Sequence, residues 1–292
     1  MEQLNCGIEF QISKEKGSQM PVLKNIDGKS GCPYLYYPLL EETGIVKHCF
    51  TTRLGGVSKG IFESLNLSFS RGDGPEAVKE NFRRVAQAMG TEYGNFVFTD
   101  QTHTTNVRRV GKEDAGKGLT RERGYADVDG LITNEAGIVL STFYADCVPL
   151  YFVDVKHRAI GLSHSGWRGT AGRMGKVTLN AMKAEFQTDP EDVICAIGPS
   201  ICQRCYEVSE DVAMEFAEAF PESEKEILQD KGNGKYQLDL WRANEKVLLE
   251  AGVKESHIAV TNICTCCNSR LLFSHRATQG RRGNLGAFLC LV

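Results

Sequence analysis

The sequence has no long hydrophobic run and almost no net charge. No apolar run approaches the roughly 18 residues of a membrane-spanning helix, and the first 30 residues lack the apolar core of a signal peptide. The 34 Lys and Arg residues nearly balance the 37 Asp and Glu residues. Composition therefore gives no reason to expect a nucleic-acid or membrane partner. We expect a soluble, cytoplasmic protein.

Sequence motifs for common nucleotide cofactors are also missing. The chain contains neither a Walker loop nor a dinucleotide-binding GxGxxG motif, so nucleoside triphosphates and NAD are not indicated. We find no internal repeat, no low-complexity tract and no Pro- or Ser-rich linker. From this we expect residues 1–32 to be an N-terminal extension, with a short edge hairpin, and residues 33–292 to form a single domain.

Cysteine, by contrast, is abundant. The chain has 11 cysteines, an odd number, in a sequence without a recognisable secretory signal. A disulfide framework is therefore not expected, and the thiols are candidates for metal ligation, catalysis or simple burial. We expect most of them to be inert, because buried thiols usually behave as small hydrophobic groups.

Short apolar runs alternate with helical patterns, which predicts an α+β (mixed α/β) fold. Apolar spacing predicts helices over residues 75–89, 172–186, 209–220 and 240–251, the first beginning at Pro75 and ending before Gly90. Strand-like segments occupy residues 46–51, 95–99, 107–110, 129–133, 138–144, 149–153, 159–163, 193–197, 258–263, 271–273 and 286–290.

Three side chains of types that can bind metals each follow a predicted apolar strand. His103 comes just after the strand at 95–99, Cys147 after that at 138–144, and His164 at the end of that at 159–163. Strand ends present side chains to clefts, and two imidazoles with one thiolate suit zinc or copper. The alternative is that Cys147 is a buried thiol unrelated to either histidine.

A second group of cysteines offers a rival metal site. Cys202 and Cys205 form one CxxC motif, and Cys264 and Cys267 form another, as in structural zinc sites. The usual gap between such pairs is roughly 15 to 20 residues, whereas 59 positions separate Cys205 from Cys264. We therefore favour ordinary thiols over a zinc site here.

Three turns combine glycine with arginine, a pairing suited to anionic ligands. They contain Arg53, Arg168 and the Arg281–Arg282 pair. Glycine permits close approach of the backbone, and a guanidinium binds phosphate or carboxylate in a bidentate manner. Solvated arginines in tight turns remain the alternative. We expect Glu122 and Arg123 to be solvated surface.

Taken together and in this order, these segments resemble the YfiH family, long labelled laccase-like multicopper polyphenol oxidoreductases. The resemblance runs from about residue 33 to the end. It rests on the segments at 51–58, 64–67, 101–103, 127–133, 145–149, 164–169, 197–201, 206–208, 239–240, 264–265, 274–276 and 280–281.

The resemblance implies that His103, Cys147 and His164 bind one zinc or copper ion. It also implies a layered α-β-β-α sandwich similar to the catalytic domain of cytotoxic necrotising factors. The associated activities are phosphorolysis of adenosine, inosine, guanosine and methylthioadenosine, and hydrolytic deamination of adenosine. The partners would be purine nucleosides and phosphate, and we expect a monomer or homodimer.

In this interpretation Arg53, Arg168, Arg276 or Arg281 would bind substrate phosphate, and Asp146 or a nearby carboxylate would move a proton during deamination. One alternative is a copper-dependent polyphenol oxidase, which six histidines in the whole chain support poorly. Another is a metal-free hydrolase of cell-wall precursors, with Cys147 as nucleophile and His164 as base. A metal-storing or partner-binding module is the non-enzymatic alternative.

Overall fold

The structure is a computed structural model that describes residues 9–12, 22–24 and 32–292. Two six-stranded sheets and a smaller three-stranded sheet make up the β-structure of this part of the chain. Strands and helices are numbered along the chain. Within the described ranges, no helix is both long and apolar enough to cross a bilayer.

The first six-stranded sheet has the order β1-β2-β3-β15-β7-β4. Its pairs are antiparallel, except that β4 runs parallel to β7. The strands are β1 (Val22–Lys24), β2 (Tyr34–Tyr36), β3 (Val46–Thr51), β4 (Phe96–Phe98), β7 (Val139–Tyr144) and β15 (Leu285–Leu291).

The second six-stranded sheet has the order β14-β10-β8-β9-β6-β5. Its centre is antiparallel, and its two outer pairs, β10 with β14 and β5 with β6, are parallel. The strands are β5 (Val107–Arg109), β6 (Gly130–Thr133), β8 (Val148–Asp154), β9 (Ala159–Ser165), β10 (Val193–Ile197) and β14 (Ile258–Val260).

The segment between β10 and β14 forms the small sheet and three of the helices. The small sheet has the order β11-β13-β12, with β11 (Glu207–Ser209), β12 (Leu228–Gly232) and β13 (Lys235–Leu238). The helices are α1 (Pro38–Glu41), α2 (Pro75–Met89), α3 (Trp167–Ala171), α4 (Met174–Phe186), α5 (Glu210–Ala219), α6 (Glu224–Ile227), α7 (Leu240–Glu250) and α8 (His275–Thr278).

Three apolar clusters hold these elements together. One cluster contains side chains of both six-stranded sheets, among them Leu140 and Leu162, so the two sheets share a core. A second joins the second sheet to α4, α5 and α7, through residues such as Met182 and Trp241. A third packs Phe82 of α2 on the first sheet. Burial of the inner faces of the two sheets holds the strands in place, and the ends of these strands position the loops described below.

Most elements expected from the sequence are confirmed within a few residues, as is the mixed α/β class. Helix α2 begins at Pro75 and ends at Gly90, whose φ of +60° provides a left-handed cap. The prediction of a strand at 271–273 is wrong. Leu272 and Phe273 are buried, but the backbone amides of Leu271 and Leu272 donate to the carbonyl of Asn268 and form a turn. The small three-stranded sheet was not predicted.

The expected extension, residues 1–32, lies mostly outside the described residues. Two described pieces contact the rest of the protein. Strand β1 pairs antiparallel with β2 at the edge of the first sheet. Gln11 exchanges two hydrogen bonds with the side chain of Asn268, at 2.7 and 3.0 Å.

Candidate functional site

His103, Cys147 and His164 are brought together by three strand ends. His103 follows β4, Cys147 lies in the turn between β7 and β8, and His164 lies near the end of β9. The ligand atoms of the three side chains all lie within 4.8 Å of one another. The sulfur of Cys147 is 3.9 Å from Nε2 of His103, and the two imidazole rings are 5.0 Å apart between centroids.

A buried carboxylate, that of Asp129, orients both histidines. Its Oδ1 lies 2.7 Å from Nδ1 of His164 and accepts the amide of His103 at 3.2 Å. Its Oδ2 accepts the amides of Thr102 and Thr104 at 3.1 and 2.9 Å. With Nδ1 donating to this carboxylate, Nε2 of His164 is the ring nitrogen free to bind a ligand.

The pKa of Asp129 is below its ordinary value. Burial acts to raise this pKa, but the hydrogen bond and charge of His164 and the amides of Thr104 and Thr102 outweigh burial. Asp129 stood in the sequence only as the start of a strand, so its role was missed. Its position one residue before β6, beside a histidine-bearing loop, becomes visible only in the fold.

The site is built on unusual backbone geometry. His103 has a φ of +67° and Asp146, next to Cys147, has a φ of +93°. Non-glycine residues rarely adopt such values, which cluster at functional sites where surrounding contacts hold them. The side chain of Gln101 holds the loop before His103. Its Nε2 donates to the carbonyl of Phe143, and its Oε1 accepts the backbone N–H of Phe143, both at 2.7 Å.

Gly166 lets the three side chains approach one another. A Cβ placed on it would lie 2.8 Å from Cδ2 of His103 and 3.3 Å from the sulfur of Cys147. Its φ of −72° is open to any residue, so space rather than backbone conformation requires glycine here.

Cys147 and His164 shift each other's titration. Burial acts to raise the pKa of Cys147, but the charge of His164 and hydrogen bonds to His103 and His164 lower this pKa to about 6. Burial acts to lower the pKa of His164, whereas Cys147 and Asp129 raise it to about 9. In the absence of a cation between them, these opposite shifts favour a thiolate–imidazolium pair.

The three side chains line a cavity of about 550 Å³, a size typical of small-molecule sites. Phe69, Phe98 and Phe143 give it an apolar wall. The polar wall includes the carboxylates and guanidinium groups of Asp100, Glu122, Arg71, Arg121, Arg123 and Arg282.

The four arginines selected from the sequence do not line this cavity. Arg53 is bound to the backbone: its Nε donates to the carbonyl of Glu63 at 2.7 Å and its Nη1 to that of Ser269 at 3.0 Å. The guanidinium of Arg168 lies over the ring of its neighbour Trp167, 4.1 Å from the centroid. These contacts engage both guanidinium groups outside the cavity, and the substrate-binding roles expected of Arg53 and Arg168 stay predictions.

Arg276 and Arg281 likewise do not line the cavity. Arg276 donates through Nη2 to the carbonyl of Glu207 at 2.9 Å and through Nη1 to that of Cys205 at 3.3 Å. The side chain of Arg281 is exposed. Arg276 therefore joins loops, and Arg281 faces solvent.

Asp146 also differs from the expectation of a proton-moving group. Its Oδ1 accepts the hydroxyl of Thr265 at 2.6 Å, and its Oδ2 accepts the amide of Arg276 at 2.7 Å. Both oxygens are thus engaged with neighbouring loops, and Asp146 is not among the residues that line the cavity. It positions the turn that carries Cys147.

Arg282, from the glycine–arginine turn at 280–283, lines the cavity together with Arg71, Arg121 and Arg123, which were not selected from the sequence as candidate ligand-binding residues. Arg282 is 7% exposed, and its buried Nε has no hydrogen-bond partner. Burial and the nearby charge of Arg71 lower the pKa of Arg282 to about 10. Arg123, expected to be solvated surface, pairs with Asp100 at 2.5 Å and donates to the carbonyl of Thr99 at 2.8 Å. The glycine–arginine turn before β15 was the available signal for Arg282.

The donor set fits a metal ion. Two imidazoles and a thiolate are the nitrogen and sulfur ligands that zinc and copper accept, and three protein ligands leave a position open. A carboxylate behind one imidazole is the usual outer partner of such a ligand, and Asp129 occupies that place. Cys202, Cys205, Cys264 and Cys267 also converge within 4.8 Å of one another, despite their separation in sequence.

Fold and site together define a mixed α/β protein with a candidate Cys/His metal centre in a cavity at its strand ends. Residues 47–292 match the family described as multi-copper polyphenol oxidoreductase laccase. The chain belongs to this family, which confirms the resemblance to YfiH proteins.

Several relatives share both sequence and fold. The chain is 39% identical over 240 residues to purine nucleoside phosphorylase YlmD of Geobacillus stearothermophilus, covering 82% of this chain and 88% of the relative. It is 36% identical over 241 residues to the Bacillus subtilis protein of the same name, covering 82% and 86%. The crystal structure of Geobacillus stearothermophilus YlmD superposes with a TM-score of 0.85 at 35% identity, over 93% of this chain and 99% of that one. The Bacillus licheniformis protein YfiH superposes with the same score at 31% identity, over 89% and 96%.

Proposed function

We propose that the protein is a zinc-dependent purine nucleoside phosphorylase that also deaminates adenosine. The observation that carries this proposal is the convergence of His103, Cys147 and His164 at the wall of a cavity that Arg71 and Arg282 also line. The relatives named as purine nucleoside phosphorylases support it. Adenosine, inosine, guanosine and methylthioadenosine are the proposed substrates.

The cavity suits a nucleoside and an anion at the same time. A purine is flat and largely apolar, and Phe69, Phe98 and Phe143 offer aromatic surface for it. Arg71 and Arg282 add positive charge to the same cavity. The unpaired Nε of Arg282 is a buried donor without an acceptor, which a phosphate oxygen would satisfy.

In phosphorolysis a phosphate oxygen forms a bond to C1′ of the ribose while the N-glycosidic bond breaks. The bonding electrons leave with the purine, and positive charge develops on the ribose in the transition state. Arg71 and Arg282 would hold the phosphate dianion next to that charge, so that position and electrostatics both favour the reaction. They replace the arginines inferred from the sequence.

His103, Cys147 and His164 would hold the metal, for which we propose zinc, with copper as the other ion this donor set accepts. A bound zinc ion would supply Lewis-acid chemistry at the cavity wall. Asp129 fixes the ring of His164 and the loop of His103. For the deamination, Asp100 and Glu122 are the carboxylates that line the cavity, and they take the proton-moving role first given to Asp146.

A metal-free thiol hydrolase is the second candidate. The observation in its favour is that Asp129, His164 and Cys147 form a carboxylate–imidazole–thiol series, with the pKa of Cys147 lowered to about 6. Removal of metal separates the two candidates, because a thiol hydrolase keeps its activity and a zinc phosphorylase loses it. A polyphenol oxidase has less support, since it needs several copper centres and the described residues gather two of the six histidines at one candidate centre.

The test is product analysis with adenosine and phosphate. We expect adenine and ribose 1-phosphate from phosphorolysis and inosine from deamination. Arg282→Gln should reduce kcat/KM for phosphate by about 10- to 100-fold, the loss expected for a hydrogen bond to a charged group. Arg281→Gln is the matched control, because this neighbour is exposed and should behave as wild type. Absence of every product from zinc-replete protein would refute the proposal.

We also propose that residues 33–292 form one catalytic domain to which residues 1–32 are an extension. The core shared by the two six-stranded sheets and the helices packed on their outer sides support a layered α-β-β-α arrangement. Its likeness to the catalytic domain of cytotoxic necrotising factors remains a prediction.

A further inference from the structure

A second candidate metal centre lies where the chain leaves β10 and β14. Cys202 and Cys205 follow β10, and Cys264 and Cys267 follow β14. The four sulfur atoms all lie within 4.8 Å of one another, and those of Cys205 and Cys267 are 3.4 Å apart. None of the four lines the cavity described above, so this group is separate from the proposed catalytic centre.

The topology explains how residues so distant in sequence meet. Strands β10 and β14 are parallel neighbours, with Cys195 opposite Ile258 and Ile197 opposite Val260. Both strands therefore end at the same edge of the sheet, and a bridge between Ser200 and Cys264 extends the pairing. The intervening residues build the small sheet, α5, α6 and α7 without separating the two CxxC turns. The long gap in sequence is thus no argument against a shared site.

The local geometry is that of a thiolate site. The amides of Cys202 and Cys267 point at the sulfur of Cys264, at 3.3 and 3.4 Å. Nη2 of Arg204 lies 3.6 Å from the sulfur of Cys267. Such donors stabilise negative sulfur. A tetrahedral site with Zn–S bonds of about 2.3 Å holds its sulfur atoms roughly 3.8 Å apart, which lies within the range seen here.

We propose that Cys202, Cys205, Cys264 and Cys267 bind a structural zinc ion. Four thiolates and no open position is the composition of structural rather than catalytic zinc sites. The ion would fasten the loop after β10 to the loop after β14.

The two loops contact the turn that carries Cys147. Next to Cys264, the hydroxyl of Thr265 donates to Asp146, the neighbour of Cys147, at 2.6 Å. The carbonyl of Cys205 accepts from Arg276, whose amide also donates to Asp146. The second centre would therefore support the turn that carries the thiol of the first.

The experiment removes the first centre and measures metal at the second. In His103→Ala/Cys147→Ser protein, produced with zinc and purified under reducing conditions, we expect about one zinc ion per chain, against about two in wild type. Zinc-edge X-ray absorption on this variant should show four sulfur neighbours at about 2.3 Å. This readout requires no change in the four cysteines, so it does not depend on the folding of a cysteine variant.

Adding Cys267→Ser to that background should abolish the remaining zinc and lower the thermal midpoint. Cys266→Ser is the matched control, because this half-buried neighbour lies outside the four-sulfur group and should leave the zinc in place. A zinc-free His103→Ala/Cys147→Ser protein would overturn the proposal, as would disulfides among the four cysteines or equal loss of zinc in Cys266→Ser. Failure of the first centre alone would instead leave about one zinc in both wild type and variant.

Discussion

Asp129 links the loop that carries His103 to the imidazole of His164: Oδ1 of its buried carboxylate contacts both histidines, and Oδ2 accepts the amides of Thr102 and Thr104. Ligand residues alone do not define such a site, because an imidazole that is free to rotate loses part of its affinity for a metal. Asp129 performs this orienting role from the residue just before β6.

Replacing this carboxylate should weaken the first centre without removing a ligand. We expect Asp129→Asn to lower zinc affinity about 10- to 100-fold, the usual effect of losing an outer-shell partner of a ligating histidine. Competition with a chromophoric chelator measures the affinity. Asp127→Asn is the control: Asp127 is exposed and accepts the hydroxyl of Thr102 at 2.8 Å. Equal affinity in the two variants would contradict the role given to Asp129.

The pH dependence of Cys147 alkylation should report the electrostatic surroundings of its thiol. In chelator-treated protein its pKa is lowered to about 6, because the positive charge of His164 stabilises the thiolate more than burial opposes it. Alkylation of Cys147, followed by peptide mass spectrometry, should therefore stay fast as the pH falls from 8 to 7 and slow below about 6. His164→Ala removes the cation, so the midpoint should move upward. An unchanged midpoint in that variant would contradict this account.

The structure brings the three predicted ligand residues together but leaves the predicted arginines outside the cavity, and the difference is physical. A ligand residue at the end of a strand is placed by that strand, whose apolar pattern is readable. An arginine has a long side chain, so its position in sequence does not fix where its guanidinium lies. Arg281 and Arg282 are adjacent, yet the side chain of Arg281 is exposed whereas that of Arg282 is buried, with 7% of its surface exposed.

At the scale of elements, the turn from β9 into α3 has to pass close to the other two loops. Gly166 lies at this turn, and the predicted Cβ contacts with His103 and Cys147 fall below ordinary van der Waals distance. The glycine is therefore part of the metal centre although it offers no ligand.

Gly166→Ala should reduce zinc binding at the first centre while leaving the fold intact. The added methyl group forces the ring of His103 away from Cys147, so we expect lower zinc content and lower phosphorolysis. Gly169→Ala is the control in the same helix: its Cβ would meet nothing closer than 3.6 Å. Elemental analysis and circular dichroism measure the two effects. Normal zinc content in Gly166→Ala would contradict the steric argument.

Elements whose start and stop signals lie within their own sequence were predicted well. Elements that depend on pairing with a distant strand were not. Helix α2 has its own start and stop residues, Pro75 and Gly90, and both ends are confirmed. Leu272 and Phe273 are buried like strand residues, but the amides of Leu271 and Leu272 bond to the carbonyl of Asn268 in a turn. The hairpin of β12 and β13 turns at Asn233 and Gly234, both with positive φ, so an available turn signal was overlooked.

At the scale of the whole molecule, the two six-stranded sheets bring separate strand ends together. The ends of β4 and β7 in the first sheet and of β9 in the second sheet meet at the first candidate centre, and the ends of β10 and β14 meet at the second. Strand order and register decide which ends meet, and these depend on contacts between residues far apart in sequence. For that reason the CxxC pairs could be seen in the sequence but not placed together.

Phosphorolysis in the adjoining cavity should require a zinc ion at His103, Cys147 and His164. The most direct measurement is phosphate-dependent release of hypoxanthine and ribose 1-phosphate from inosine, before chelation, after chelation and after zinc is restored. We predict activity that is lost with the metal, returns with zinc, and is absent from Cys147→Ser at every stage. Undiminished activity in protein shown to be metal-free, or full activity in Cys147→Ser, would contradict the claim.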